Sequence, residues 1–81
     1  MDERILVEVY VPIVQLRFDA YFPLEATLYE CTQACVEYIK KKRCYHQAIS
    51  YLYHVQTDCI LACDQIVKDC GLFTGSQIIL L

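Results

Sequence analysis

The chain has 81 residues, of which 57% are hydrophobic, and a formal net charge of −3. That length makes one domain, residues 1–81, with a thin core, because a chain of this size buries only about 60–65% of its unfolded surface. Two Gly and two Pro exclude a linker or disordered tail, and the acidic balance argues against nucleic acid as a partner.

The opening Met-Asp-Glu-Arg is acidic where a signal peptide is basic, and no small-residue cleavage site follows. The apolar runs are broken by Glu8, Arg17 and Asp19 before they reach the ~18 residues of a membrane span. A cytoplasmic protein with no membrane span is expected.

Residues 4–12, RILVEVYVP, alternate Ile5, Val7, Val9 and Val11 with Leu6, Glu8 and Tyr10. A period of two predicts a strand with one buried face, ended or edged by Pro12. Residues 16–22 alternate again, Leu16, Phe18, Ala20 and Phe22 against Arg17, Asp19 and Tyr21. The short connection predicts an antiparallel hairpin, and without Asn-Gly its turn type stays open.

Thr27 followed three residues later by Glu30 is a capping box. Leu28, Cys31, Cys35 and Ile39 then recur at helical spacing, with Ala34 and Tyr38 beside them, and the basic run Lys40–Arg43 falls at the end. Pattern and charge predict one amphipathic helix over 28–42. The basic run reads as a solvated helix end rather than a phosphate or lipid contact.

Residues 51–55, YLYHV, suit a strand. Residues 58–70 fit two readings. Asp58 caps a helix carrying Ile60, Cys63, Val67 and Cys70 and stopped by Gly71, or Cys59–Leu61 is a short strand and 66–70 a single helical turn. Residues 76–81, SQIILL, predict a strand after a Thr-Gly turn.

Hairpin, capped helix, strand, helical turn and final strand, in that order, resemble the β-grasp, the fold of ubiquitin. TLYECTQACVEYI is similar to the ubiquitin helix, and DCGLFTGSQIILL to the GI-x-x-G-S-x-L-x-L ending of many ubiquitin-like sequences. Within that superfamily the first strand (V-x-V-Y-V-P), the second (F-x-A-Y-F-P-L) and the ending are most similar to the bacterial YukD/EsaB-like proteins associated with type VII secretion. The resemblance implies an α+β fold with an N-terminal β-hairpin, one central helix and a mixed sheet with a C-terminal strand. It also implies a protein-binding role. Conjugated relatives end in a flexible Gly-Gly tail, whereas this chain stops at Leu80-Leu81, so conjugation is not expected.

Six cysteines in a short chain raise a disulfide framework, but Cys31/Cys35 and Cys59/Cys63 are spaced i,i+4 and no secretion signal is evident. Cys31 and Cys35 lie on the helical face the core needs, so they are expected to pack there as small hydrophobes. The competing reading joins them to Cys44 and His46 as metal ligands, which would need four convergent donors. Neither His46 nor His54 is placed against a thiol as a catalytic pair requires, and there is no phosphate loop or H-E-x-x-H. No catalytic, cofactor or metal residue is therefore assigned. The alternative function is a small cysteine-based metal- or redox-responsive protein.

Seven tyrosines remain, and Tyr45, Tyr51 and Tyr53 cluster in the middle of the chain. With Leu52 inward, Tyr51 and Tyr53 point outward. Exposed Tyr suits an interface, although these rings would also flank a thin core. Tyr51, Tyr53 and His54 are the predicted protein-binding residues. The expected partner is a protein, a second copy of the chain included.

Overall fold

The computed structural model describes residues 3–43 and 51–81. Cys44, Tyr45 and His46, singled out above, lie outside the described residues. The element order is β1 (Arg4–Val11), β2 (Leu16–Pro23), α1 (Leu28–Arg43), β3 (Leu52–His54), β4 (Cys59–Leu61) and β5 (Gln77–Leu80). Short 3-10 turns stand at Pro12–Val14 and Val67–Asp69.

The alternation read in the sequence sets both faces of the hairpin. Ile5, Val7, Val9 and Val11 are buried, as are Leu16 and Phe22, with Phe18 and Ala20 packed against them. Pro12 opens the 3-10 turn, and Gln15 closes it in the left-handed region (φ 51°), its N–H donating to the Pro12 carbonyl at 3.1 Å. Proline is suited to that first position because it needs no donor there.

The helix begins where the capping box places it. Glu30 N–H donates to Thr27 Oγ1 at 3.2 Å, and Thr27 N–H to Glu30 Oε1 at 3.4 Å. A helix start leaves further N–H groups without intrahelical partners. Here Leu28 and Tyr29 donate theirs to the carbonyls of Gln65 and Cys63, both at 2.9 Å. Leu28, Cys31, Cys35 and Ile39 are buried as predicted. Thr32 joins them, its hydroxyl donating to the Leu28 carbonyl at 2.7 Å, which satisfies a polar group the core would otherwise penalise.

Of the two readings of residues 58–70, the structure takes the strand and turn. Asp58 sits in the left-handed region (φ 54°), which reverses the chain after β3, and Cys59–Leu61 then pairs antiparallel with β3. Ile60, on the apolar stripe of the helical reading, is exposed, while Val67 is fully buried in the later turn.

The described strands form a five-stranded sheet in the order β2-β1-β5-β3-β4, with β1 and β5 parallel and the other pairs antiparallel. The helix covers one face, and the core between them includes Val7, Val9, Leu28, Ile39, Leu52, Ile78 and Leu80. This is the α+β arrangement that the resemblance implies. Among the described residues no helix is long and apolar enough to cross a membrane.

Candidate functional site

Among the described residues no element packs on the face of the sheet opposite the helix, and the composition of that face changes from one side to the other. On β1 and β2 it is covered by cations. The Arg4 guanidinium lies 4.1 Å over the Tyr21 ring, and that of Arg17 lies 4.5 Å over Tyr10 while binding Glu8 at 2.6 Å. Such contacts hold a ring and a charge against each other and leave little bare apolar surface.

On β5, β3 and β4 no such cation–ring contact is made among the described residues. Strand register aligns Tyr10 with Ile79, Ile79 with Tyr53, and Tyr53 with Ile60. Register partners share a face, so one row runs from Tyr10 to the β4 edge. Beside it Tyr51 and Leu81 exchange backbone hydrogen bonds at 3.2 and 3.0 Å. Tyr51 is 55% exposed, Leu81 57% and Ile60 63%. The Tyr53 hydroxyl donates to the Asp58 carboxylate, and this bond pushes its phenol pKa up. It also anchors the ring along the row.

The predicted residues therefore divide. Tyr51 is exposed and Tyr53 half-buried, both on the open face, as expected. His54 is on the other face and fully buried, so its side chain does not present itself to a partner as part of that surface. Its Nε2 lies 2.9 Å from Ser76 Oγ and its Nδ1 2.9 Å from Thr57 Oγ1. Ser76 Oγ also accepts the Phe73 N–H at 2.9 Å. Burial holds the imidazole below its ordinary pKa and so favours the neutral form.

The same alternation that turns Tyr51 and Tyr53 outward turns His54 inward with Leu52; the period of two carried that signal, and the polar side chain concealed it. The sequence assigns no binding role to Ile60, Ile79 or Leu81, because the row exists only once β5 lies between β1 and β3.

Cys31 and Cys35 are in the core. Burial, first, pushes their thiols up to about 11 and about 12, opposite to the shift a metal ligand or nucleophile needs. Cys59 is exposed, its thiol turned to the Thr57 carbonyl at 3.2 Å. Among the described residues no cluster of three or more His, Cys, Asp or Glu is arranged to hold a metal.

No family model and no curated protein matches the chain. Among solved structures it is similar to a ubiquitin-like domain of an Arabidopsis thaliana protein, determined in solution by NMR. The TM-score is 0.70 at 19% identity, over 98% of this chain and 77% of that one. An identity that low carries the fold alone, and the fold is the ubiquitin-like β-grasp.

Proposed function

We propose that the chain is a non-catalytic, ubiquitin-like adaptor that binds a protein partner through the open side of its sheet. The observation that carries this reading is the continuous row Ile79–Tyr53–Ile60 with Tyr51 and Leu81 at its flank, beyond the Arg-covered Tyr10. Contiguous apolar surface of this kind marks interaction sites, whereas scattered exposed residues do not. Tyr supplies large contact area for few rotors, and it is enriched at interface cores. The Arg-covered side supplies a polar rim.

A non-catalytic role is supported by the state of the nucleophile candidates. The Cys31 and Cys35 thiols are held protonated by burial, and both nitrogens of His54 are engaged by hydroxyls inside the fold. The context we propose is an accessory role in bacterial type VII secretion. It rests on the V-x-V-Y-V-P and F-x-A-Y-F-P-L motifs of the first two strands.

The test pairs melting curves with co-purification from the native cell for Tyr51→Ala and Ile60→Lys. Both positions are exposed, so melting should stay within the ~0.5 kcal/mol expected of surface substitutions, while recovery of the associated protein falls for both. Undiminished recovery with both variants would remove this face as the contact. A recovered partner unrelated to a secretion apparatus would remove the secretion context and leave the adaptor reading standing.

A further inference from the structure

The hairpin turn and the end of the helix meet at one end of the molecule. Val11 pairs with Leu16, so the turn of residues 12–15 closes the hairpin there, while Arg4 pairs with Pro23 at the opposite end. The helix starts from that opposite end, and its sixteen residues carry the chain back by about 24 Å. Phe18 and Tyr38, with ring centroids 4.5 Å apart, fix where it arrives. Phe18 stands near the start of β2, beside the turn, and Tyr38 near the end of α1. Lys42 Nζ lies 5.6 Å from the centre of the same Tyr38 ring. The turn and the basic helix end are therefore neighbours.

In the turn, Val14 packs against the core, and the Gln15 N–H closes the 3-10 bond to Pro12 at 3.1 Å. Ile13 is left 65% exposed, more than any other large hydrophobic among the described residues. A single exposed aliphatic side chain means little by itself. At the adjoining helix end, however, Lys41 and Lys42 are exposed, and Lys41 makes no ion pair among the described residues. The sequence holds no Asp or Glu between Glu8 and Asp19, or between Glu37 and Asp58. Glu8 is paired with Arg17, and Glu37 lies 3.7 Å from Lys40. Carboxylates gather at the other end of the helix. Glu30 is in the cap, Glu25 precedes it, and Asp64 and Asp69 flank the carbonyls and amides that bond the helix start. The net charge of −3 is thus unevenly divided. The two ends stand further apart than the Debye length of ~8 Å in physiological salt. A surface approaching the turn meets the lysines and not the total charge.

We infer that this end of the molecule docks reversibly on a lipid bilayer that contains anionic lipids. Ile13 enters the boundary between headgroups and acyl chains, and Lys41 and Lys42 lie among the headgroup charges. Read along the sequence, the basic run is a solvated helix end; the fold adds Ile13 beside it. The surface is a bilayer because Ile13 stands on a turn and not in a cleft. A soluble polyanion gains nothing from that side chain, and a folded protein needs a pocket to receive it. Acyl chains accept an apolar side chain wherever it lands. Ammonium groups suit such a surface, because they are point charges that need no fixed fork geometry. With the carboxylates at the far end, the molecule arrives turn first. None of these residues belongs to the row on the open face, so the docking does not depend on the adaptor reading.

The test is flotation of the purified chain with phosphatidylcholine vesicles that contain or lack phosphatidylserine. The expected result is binding to the phosphatidylserine vesicles alone, falling as salt is added. Lys41→Gln and Lys42→Gln each weaken it by about fivefold, and Ile13→Ser weakens it by a similar factor. These positions are exposed, and melting curves verify each fold. The chain has no Trp, so Ile13→Trp reports insertion directly. Its emission shifts to the blue on phosphatidylserine vesicles, whereas that of Tyr29→Trp, exposed at the helix start, does not. No binding, equal binding to both kinds of vesicle, or lysine variants that bind like the parent overturn the inference. An equal shift from both Trp variants overturns the turn-first orientation and the inference with it. Binding that the lysine variants weaken and Ile13→Ser leaves intact, matched by binding to single-stranded RNA or polyglutamate, overturns it in favour of a soluble polyanion.

Discussion

The β1–β2–α1 half and the β3–β4 half of the molecule are built by different means. In the first, two strands of eight residues pair along their full length and a helix of sixteen residues crosses them. In the second, strands of three residues each pair over three positions. A three-residue strand has too few ladder bonds to fix its own register. What replaces length is side-chain hydrogen bonding. His54 is tied to Thr57 and Ser76, Tyr53 to Asp58, the Gln56 amide oxygen accepts the Gln77 N–H at 2.8 Å, and that of Gln65 accepts the Ala62 N–H at 3.0 Å. Apolar burial specifies one half, and polar contacts at fixed positions specify the other.

Removing apolar volume from the first half should have the largest effect. Phe22→Ala deletes a fully buried ring of β2, a change that typically costs about 3–5 kcal/mol. Urea denaturation should show global destabilisation, with amide exchange faster in both halves. Exchange accelerated only in β2 would mean that the halves do not share one cooperative core.

Ser76→Ala attacks the polar half. It leaves the Phe73 N–H and His54 Nε2 without their partner, and a buried group stripped of its hydrogen bond costs about 1–3 kcal/mol. Amide exchange should accelerate first at Phe73 and through residues 55–59, with β1 and β2 less affected. Uniform acceleration would erase the distinction drawn between the halves.

Thr27→Ala should cost about 1 kcal/mol through loss of the N-cap. The other first-turn donors remain bonded to Gln65 and Cys63, so the helix should shorten at most by its first turn. A thermal melt unchanged within a few tenths of that value would show that those carbonyls hold the helix start alone.

The smallest effect is one of pH. The folded His54 pKa lies below its ordinary 6.5 because of burial. Above that value both folded and unfolded chains carry a neutral ring and nothing is lost. As pH falls through it, the unfolded chain takes up a proton that the folded chain refuses, so stability declines until the lowered folded pKa is reached. Melting temperature should drop on mild acidification in the parent and less so in His54→Gln. An equal drop in both would assign the acid response to other groups.

The sequence made the first half legible because long elements repeat their signal. Period two in residues 5–11 and 16–22 and the Thr27–Glu30 box needed no tertiary information. Residues 58–70 were undecided because Ile60, Cys63, Val67 and Cys70 have helical spacing, and the choice against a helix is made elsewhere. β3 offers an edge to Cys59–Leu61, and the Ala26 carbonyl takes the Val67 N–H at 2.9 Å. The candidate site was legible in part for the same reason. Tyr51 and Tyr53 announce themselves by type and alternation. The row they complete with Ile79 and Ile60 depends on strand order, which no local pattern encodes.

Strand order has a last consequence, for the route by which the molecule is made. β5 stands between β1 and β3, so the hairpin at one side and the β3–β4 pair at the other are joined in the sheet only by the final strand of the five. The hairpin and helix can form from neighbours in sequence, but the parallel seam of Glu8 with Gln77 waits for a segment that follows β2, α1, β3 and β4 in the chain. Closing so long a loop before any contact rewards it slows folding. While a nascent chain waits, the inner edge of β1 and the apolar face under the helix stand uncovered, and that interval is when this protein is most in need of protection from its neighbours.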